Sequence, residues 1–404
     1  MSRWHRISLL FALYLAQGLP YGFFTQALPV LLREAGYSLK MISALSLLYL
    51  PWALKFLWAP WLDHIGTRRR WLLVLQITSV LGALLLSQLD LGHHFSIVLA
   101  AAFVFNIIAA SQDVVTDGLA VRMLESRELG LANAIQVGAY RVGMICGGGL
   151  LLWIFAKTDW STMFLCMAGL LTLTVLPVFR LKEPAATTAV QRTQRRLIIG
   201  WAQRLFMPGM LAFVLLIVCY RFGDGMVTSL LNPFLSDQGL TKETIAVMKG
   251  TVGSGTSLIG ALLGGWFVSS VGRRRALLFS GLAQAVAFLP YIAAAMHIGG
   301  VGMLWFATIL EGVIGTMATV ALFTLMMDAA DPDHAGTDYT LFACVVVAVQ
   351  TPASFLAASI ADAVGYVPAF AIGAALAAAG TLVLVRRLDR KTSSERVAKA
   401  WAGL

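Results

Sequence analysis

The sequence predicts an all-α membrane protein, with twelve transmembrane helices in two pseudo-symmetric six-helix bundles. Three observations carry this. The 404-residue chain is 59% hydrophobic and only 12% charged, more apolar surface than a soluble fold of this length can bury. Apolar runs of about 20 residues, the length that crosses a bilayer, recur throughout. Finally, the stretch 59–70, APWLDHIGTRRR, returns as GWFVSSVGRRR at 265–275. In each copy a small residue is followed seven later by glycine and then by three arginines: Ala59, Gly66, Arg68, Arg69 and Arg70, then Gly265, Gly272, Arg273, Arg274 and Arg275. The offset is 206, about half the chain, so two similar halves are expected.

The spans are read in order as 6–32, 41–61, 71–89, 96–117, 131–155, 161–179, 208–235, 244–269, 276–296, 301–327, 339–361 and 367–385. The first continues too long for a signal peptide and is expected to remain as a helix. Residues 1–179 form the first bundle, 180–207 a cytoplasmic linker, 208–385 the second bundle and 386–404 a cytoplasmic tail. Basic residues alternate between connections. The amino terminus, the even-numbered loops and the tail hold 22 Lys and Arg, against four (Arg33, Lys40, Lys157, Lys242) in the odd-numbered loops. The positive-inside rule then puts both termini in the cytoplasm. The net charge of +10 is explained by these clusters, which suit anionic headgroups rather than nucleic acid. Trp4, Trp58, Trp61, Trp71, Trp153, Trp160 and Trp201 sit near span ends, at interface depth. Cys146, Cys166, Cys219 and Cys344 fall in apolar runs and read as small buried hydrophobes without disulfides.

The repeated hairpin resembles the loop-2/3 signature of the major facilitator superfamily, G-x-x-x-D-x-x-G followed by basic residues. The first copy keeps Asp63 and Gly66, has Ala59 for the leading glycine, and inserts Thr67. The second keeps both glycines and has Ser269 in place of the acid. Four further strings are LAQGLPYGFFTQALPVLLR (15–33), LPWALKFLWAPWLD (50–63), SQDVVTDG (111–118) and HAGTDYT (334–340). They resemble the branch that holds muropeptide permeases, acetyl-CoA transporters and siderophore permeases. The QGLPYGFFTQALPVLLR and ALKFLWAP strings are most similar to the siderophore permeases, those for pyochelin in particular. The resemblance implies a bacterial inner-membrane importer of an iron-loaded siderophore, working by alternating access. Muropeptide transport is the alternative, and a non-transporting ligand sensor is the alternative of another class.

Eight ionisable residues lie within spans: Lys55, Asp113, Asp117, Arg141, Arg221, Asp224, Lys249 and Glu311. Each costs at least about 2.5–3.5 kcal/mol on insertion scales, so each needs a reason. Shifted by 206, Lys55 maps to Ala261, Asp113 to Thr319, Arg141 to Val347 and Arg221 to Leu15. Charges that break the repeat suit cargo or ions, which need no symmetry. Arg141, Arg221 and Glu311 fall near mid-membrane, where alternating-access carriers hold substrate. Arg141 and Arg221 are expected to face a central cavity and meet an anionic group on the substrate, since the guanidinium fork suits carboxylates. Tyr140, Gln136, Gln17, Tyr21 and Glu311 complete the candidate substrate set. The opposing reading is inter-helix ion pairs that only hold the bundle.

Asp113 and Asp117 are four apart on one helix face. Asp113, Asp224 and Glu311 are the proton-coupling candidates. The superfamily resemblance implies that Asp117 pairs with Arg68 or Arg69, forming a conformational latch with Asp63 and Gly66. Lys55 is expected either to snorkel or to pair with Asp113, and Lys249 to snorkel. Other motifs carry no chemistry. His334 and Asp338 spell H-x-x-x-D without a nucleophile nearby, His93 and His94 are adjacent and diverge, and there is no Walker signature. The chain is therefore expected to be a non-enzymatic monomer without cofactor or bound metal. Its partners are the lipid bilayer and a small anionic molecule.

Overall fold

The computed structural model describes residues 3–34, 45, 48, 50–89, 95–124, 128–181, 208–241, 244–245, 247–390 and 401. In chain order the helices are α1 (Trp4–Leu32), then the broken α2, made of Leu50–Leu54, a 3-10 turn at Lys55–Leu57 and Ala59–His64. There follow α3 (Arg68–Leu86), α4 (Ser96–Met123), α5 (Leu129–Lys157) and α6 (Trp160–Phe179). The second half continues with α7 (Gly209–Asp237), α8 (Val247–Val271), α9 (Arg273–Ala295), α10 (Gly300–Ala329), α11 (Pro332–Val364) and α12 (Tyr366–Asp389). Eleven of these are long and apolar enough to cross a membrane. The twelfth expected span, 41–61, lies partly outside the described residues. Most of the linker, most of the tail, Trp201, His93 and His94 also lie outside them.

The helices start where the sequence supplies a stop for the preceding one. Thr67 caps α3 by accepting from the Arg70 amide at 3.2 Å. Asp159 caps α6 by accepting from the Thr162 amide at 2.6 Å, and that bond holds its carboxyl below the usual range. Gly66 at φ 74° and Gly272 at φ 82° turn the chain into α3 and α9 at equivalent points of the repeat, a conformation that costs glycine little.

The chain falls into two compact units. The first comprises Met1–Met123, Ile135–Leu197 and Asp331–Thr340; the second comprises Leu124–Ala134, Ile198–Ala330 and Leu341–Leu404. Aromatic rings fill the core of each. In the first, Phe23 meets Phe164 edge-on at 5.0 Å; in the second, Phe234 meets Phe370 edge-on at 5.1 Å. Large apolar side chains such as Leu85, Trp266 and Phe355 point outward, as lipid permits.

Small residues set which helices touch. In the first unit α1 and α5 press backbone to backbone: a Cβ on Gly143 would lie 2.5 Å from the Leu15 carbonyl, and Gly18, Gly22 and Gly147 are equally crowded. Along the same contact each helix carries a π turn, Phe23–Ala27 and Cys146–Leu150, and the two turns pack on each other. In the second unit the tightest glycine contact joins α7 to α12, through Gly223, Gly373 and Gly380. Both contacts have counterparts in the other unit: α1 also packs on α6, and Gly225 of α7 meets Ala353 and Gln350 of α11. The cysteines form no disulfide. Only Cys344 is buried as expected; Cys146 and Cys166 are half-buried and Cys219 is exposed.

Candidate functional site

In the first unit the site is built around α4, whose residues 111–120 are all buried. Burying so polar a stretch, SQDVVTDG, requires partners for each group. Lys55, from the 3-10 turn of α2, forms an ion pair with Asp113 and lies 5.4 Å from the centre of the Trp52 ring. The Trp52 indole donates to Asn106 at 3.0 Å, and the Trp58 indole to Ser111 at 3.0 Å. From α1, the Tyr14 hydroxyl donates to Asp117 Oδ1 at 2.8 Å, and Gln17 donates to Thr116 at 3.2 Å. From α5, Gln136 Nε2 donates to Asp117 Oδ1 at 3.1 Å, while its Oε1 accepts from the Tyr339 hydroxyl at 3.3 Å. Asp117 Oδ2 is buried with no hydrogen-bond partner.

Beside this network the rings of Tyr21, Trp52 and Tyr140 form a triangle, with centroids 5.6, 5.5 and 6.3 Å apart. All three are half-buried. Arg141 follows Tyr140 on α5. It is half-buried, and among the described residues it has no ion-pair or hydrogen-bond partner.

The α2–α3 hairpin forms a second cluster in this unit. The Asp63 carboxylate is ion-paired with Arg68, lies 3.7 Å from Arg122, and accepts from the Thr337 amide at 3.0 Å and the Thr337 hydroxyl at 3.1 Å. It thereby serves one of the amides left unpaired at the start of the helix Ala335–Val364. Arg69 donates to the Phe179 carbonyl at the end of α6, at 3.0 Å. Next to Asp63, His64 Nδ1 lies 2.9 Å from the Pro60 carbonyl, and its Nε2 lies 2.8 Å from His334 Nδ1.

In the second unit Arg221 and Asp224, one turn apart on α7, form an ion pair at 2.8 Å. Gln284 of α9 donates to the other Asp224 oxygen, and Arg221 also reaches Thr319 at 3.5 Å. Lys249 of α8 pairs with Glu311 of α10 at 3.7 Å and lies 5.8 Å from the Tyr291 ring centre. At the α8–α9 hairpin, Arg273 binds Asp328 at 2.8 Å. Asp328 is the repeat counterpart of Arg122, and Ser269 that of Asp63. The acid has moved from the hairpin to the facing helix, and one arginine at the start of the following helix, Arg68 in the first copy and Arg273 in the second, still finds a carboxylate.

Of the eight expected intramembrane charges, six form three pairs: Lys55 with Asp113, Arg221 with Asp224, and Lys249 with Glu311. Asp117 and Arg141 make no ion pair among the described residues. One expectation is corrected. Asp117 does not pair with Arg68 or Arg69; Tyr14 and Gln136 hold it, and the hairpin arginine takes Asp63 instead. Lys249, expected to snorkel, lies 3.7 Å from Glu311. Gln17, expected at the substrate, is fully buried against Thr116. Tyr14, Asn106, Arg122, Gln284, Thr337 and Tyr339 were not singled out. Asn106 was the most visible of these, as an amide in an apolar run. His334 and Asp338 meet no nucleophile: Asp338 accepts from the Asp331 amide at 3.0 Å. No group of three metal-ligating residues occurs among the described residues.

A helical membrane chain with a repeated basic hairpin and interior charges on both halves has the build of a secondary carrier, not of an enzyme. The chain belongs to the Major Facilitator Superfamily, whose model matches residues 10–351 and 213–402. It is 31% identical to an uncharacterized protein of Haemophilus influenzae, over 93% of this chain and 94% of that one. It is 29% identical to the anhydromuropeptide permease of Escherichia coli K12, over 94% of this chain and 79% of that one. Among solved structures, the proton:xylose symporter XylE superimposes with a TM-score of 0.72 at 12% identity, covering 99% of this chain and all of that one. The human organic anion transporter MFSD10 gives 0.71 at 14% identity, covering 95% and 100%. At such identities these two establish the fold alone. The protein is thus a multi-pass membrane transporter of small molecules.

Proposed function

We propose that the chain is a permease for a sugar–peptide fragment of the anhydromuropeptide class. The observation that carries this is the 29% identity to the Escherichia coli anhydromuropeptide permease across 94% of this chain. The chemistry of the first unit agrees. Such a cargo presents a sugar ring and carboxylates. The triangle of Tyr21, Trp52 and Tyr140 offers aromatic faces to the ring's C–H groups, and Arg141 offers a guanidinium that pairs with no carboxylate among the described residues. In this reading Arg221, already paired with Asp224, holds the second bundle together more than it holds cargo. The Asp63–Arg68–Thr337 cluster serves as the latch. Both termini face the cytoplasm of a bacterial inner membrane, following the distribution of basic loops.

The siderophore expectation rested on two short strings, and likeness to a muropeptide carrier across 94% of this chain outweighs it. Uptake into proteoliposomes separates the readings. Radiolabelled anhydromuropeptide is expected to accumulate and to be displaced by unlabelled compound, while ferripyochelin is ignored. Accumulation of ferripyochelin alone restores the siderophore reading. Binding of either ligand without accumulation indicates a sensor.

A further inference from the structure

We propose that Asp117 is the residue that binds the coupling proton of this carrier, and that Gln136 and Tyr339 transmit its protonation state to α5 and α11. The inference rests on the carrier class and not on the cargo.

The charge balance of the first unit leads to it. Asp113 and Asp117 lie four apart on α4, and one lysine serves the pair. Lys55 is committed to Asp113. The charged and titratable groups that face Asp117 are Tyr14 from α1, Lys55 from α2, Asp113 from its own helix and Tyr339 from the start of α11. Gln136 faces it from α5. Arg68 comes near at Gly118, where a Cβ would lie 3.5 Å from its Nε, but its carboxylate is Asp63. Among the described residues no cation forms an ion pair with Asp117, which is only 1% exposed; Lys55 acts on it only through space while bonded to Asp113.

An ionised carboxylate in that position keeps an unsatisfied oxygen and an uncompensated charge out of water, and both are expensive. A neutral acid removes the charge, and its two donors can stay on Oδ1. The proton therefore belongs on Oδ2, the oxygen that lacks a partner. Binding forms one O–H bond with a proton drawn from water, and release returns that proton to water; no other bond changes. Once ionised, Asp117 draws Tyr14 and Gln136 more strongly and requires hydration. The contacts of α4 with α1, α5 and the first turn of α11 are then the ones that must rearrange. Gln136 is the hinge of this coupling, because its amide holds Asp117 by the nitrogen and Tyr339 by the oxygen. Arg141 sits five residues further along the same helix.

The test has two arms. Infrared spectra of the full chain in lipid nanodiscs at neutral pH, in light and heavy water, are expected to contain the carbonyl stretch of a buried protonated carboxyl. The band is expected to vanish in Asp117→Asn, to persist at a shifted frequency in Asp117→Glu, and to be unaltered in Asp333→Asn, at an exposed position in the 3-10 turn that opens α11. In proteoliposomes with an inward proton gradient, the unmodified chain is expected to concentrate anhydromuropeptide, while Asp117→Asn only equilibrates it. A band that survives Asp117→Asn, no band in the unmodified chain, or gradient-driven accumulation by Asp117→Asn overturns the proposal. If the unmodified chain moves no anhydromuropeptide, the cargo reading fails, and the infrared arm still decides the fate of Asp117.

Discussion

Tyr14 and Asp117 lie 103 residues apart in sequence, and their side chains meet at 2.8 Å inside the first unit. This bond ties α1 to α4 at a buried carboxylate that makes no ion pair among the described residues. Tyr14→Phe is expected to keep the fold, since the ring stays buried, and to cost about 1 kcal/mol for the lost bond. A lowered melting temperature in detergent, with wild-type expression, is the expected readout. A loss of several times that size would mean that the hydroxyl organises more than this carboxylate.

Arg141 and Arg221 are expected to separate under substitution. Arg141 has no partner to strand among the described residues, so Arg141→Ala should reduce uptake of cargo at least tenfold while leaving thermal stability within about 0.5 kcal/mol. Arg221→Ala strands Asp224 in the interior and should cost about 3–5 kcal/mol. Melting temperature and initial uptake rate, measured on the same preparations, check both halves. Equal destabilisation by the two variants would contradict the assignment.

The Lys55–Asp113 pair offers a direct test of scaffold against function. Either Lys55→Met or Asp113→Leu alone leaves one buried charge uncompensated, at about 3–5 kcal/mol. The double variant removes both charges and should recover most of that stability. If its uptake also recovers, the pair only holds α2 to α4; if stability returns without uptake, the charges act on cargo or protons.

Glycines within a few residues of each other on α5 should respond in opposite ways. Gly143→Ala drives a Cβ to 2.5 Å from the Leu15 carbonyl, and backbone cannot move aside cheaply. A loss of about 1–3 kcal/mol is expected from overpacking. Gly149→Ala meets nothing within 4 Å, and should be neutral or stabilising by up to about 1 kcal/mol. Thermal unfolding of the two variants side by side is sufficient.

Residue type and depth were legible in the sequence, and pairing was not. Lys55, Asp113, Arg221, Asp224, Lys249 and Glu311 stand out because lipid penalises them wherever they point. Which of them meet depends on how the helices pack, and small residues set how closely they do: Gly143 brings α5 onto α1, and Gly223 and Gly380 join α7 to α12. The 206-residue offset marked both hairpins, and in them Gly66 and Gly272 take the same positive φ. It gave no warning that Arg122 and Asp328 would exchange charge between the copies. Asp117 was misassigned for a related reason. The arginines of the hairpin are near it along the helix axis, but Asp63 reaches Arg68 first. Tyr339, the residue that completes the Gln136 bridge, arrives from 203 positions away.

The seating of Thr337 on Asp63 also bears on how the molecule is made. The acceptor leaves the ribosome 274 residues ahead of its donor. While the later helices are still being inserted, Asp63 has only Arg68 and Arg122 for company. The early bundle therefore spends most of translation unfinished at that end, and a truncated chain ending before Thr337 should be an open target for membrane proteases.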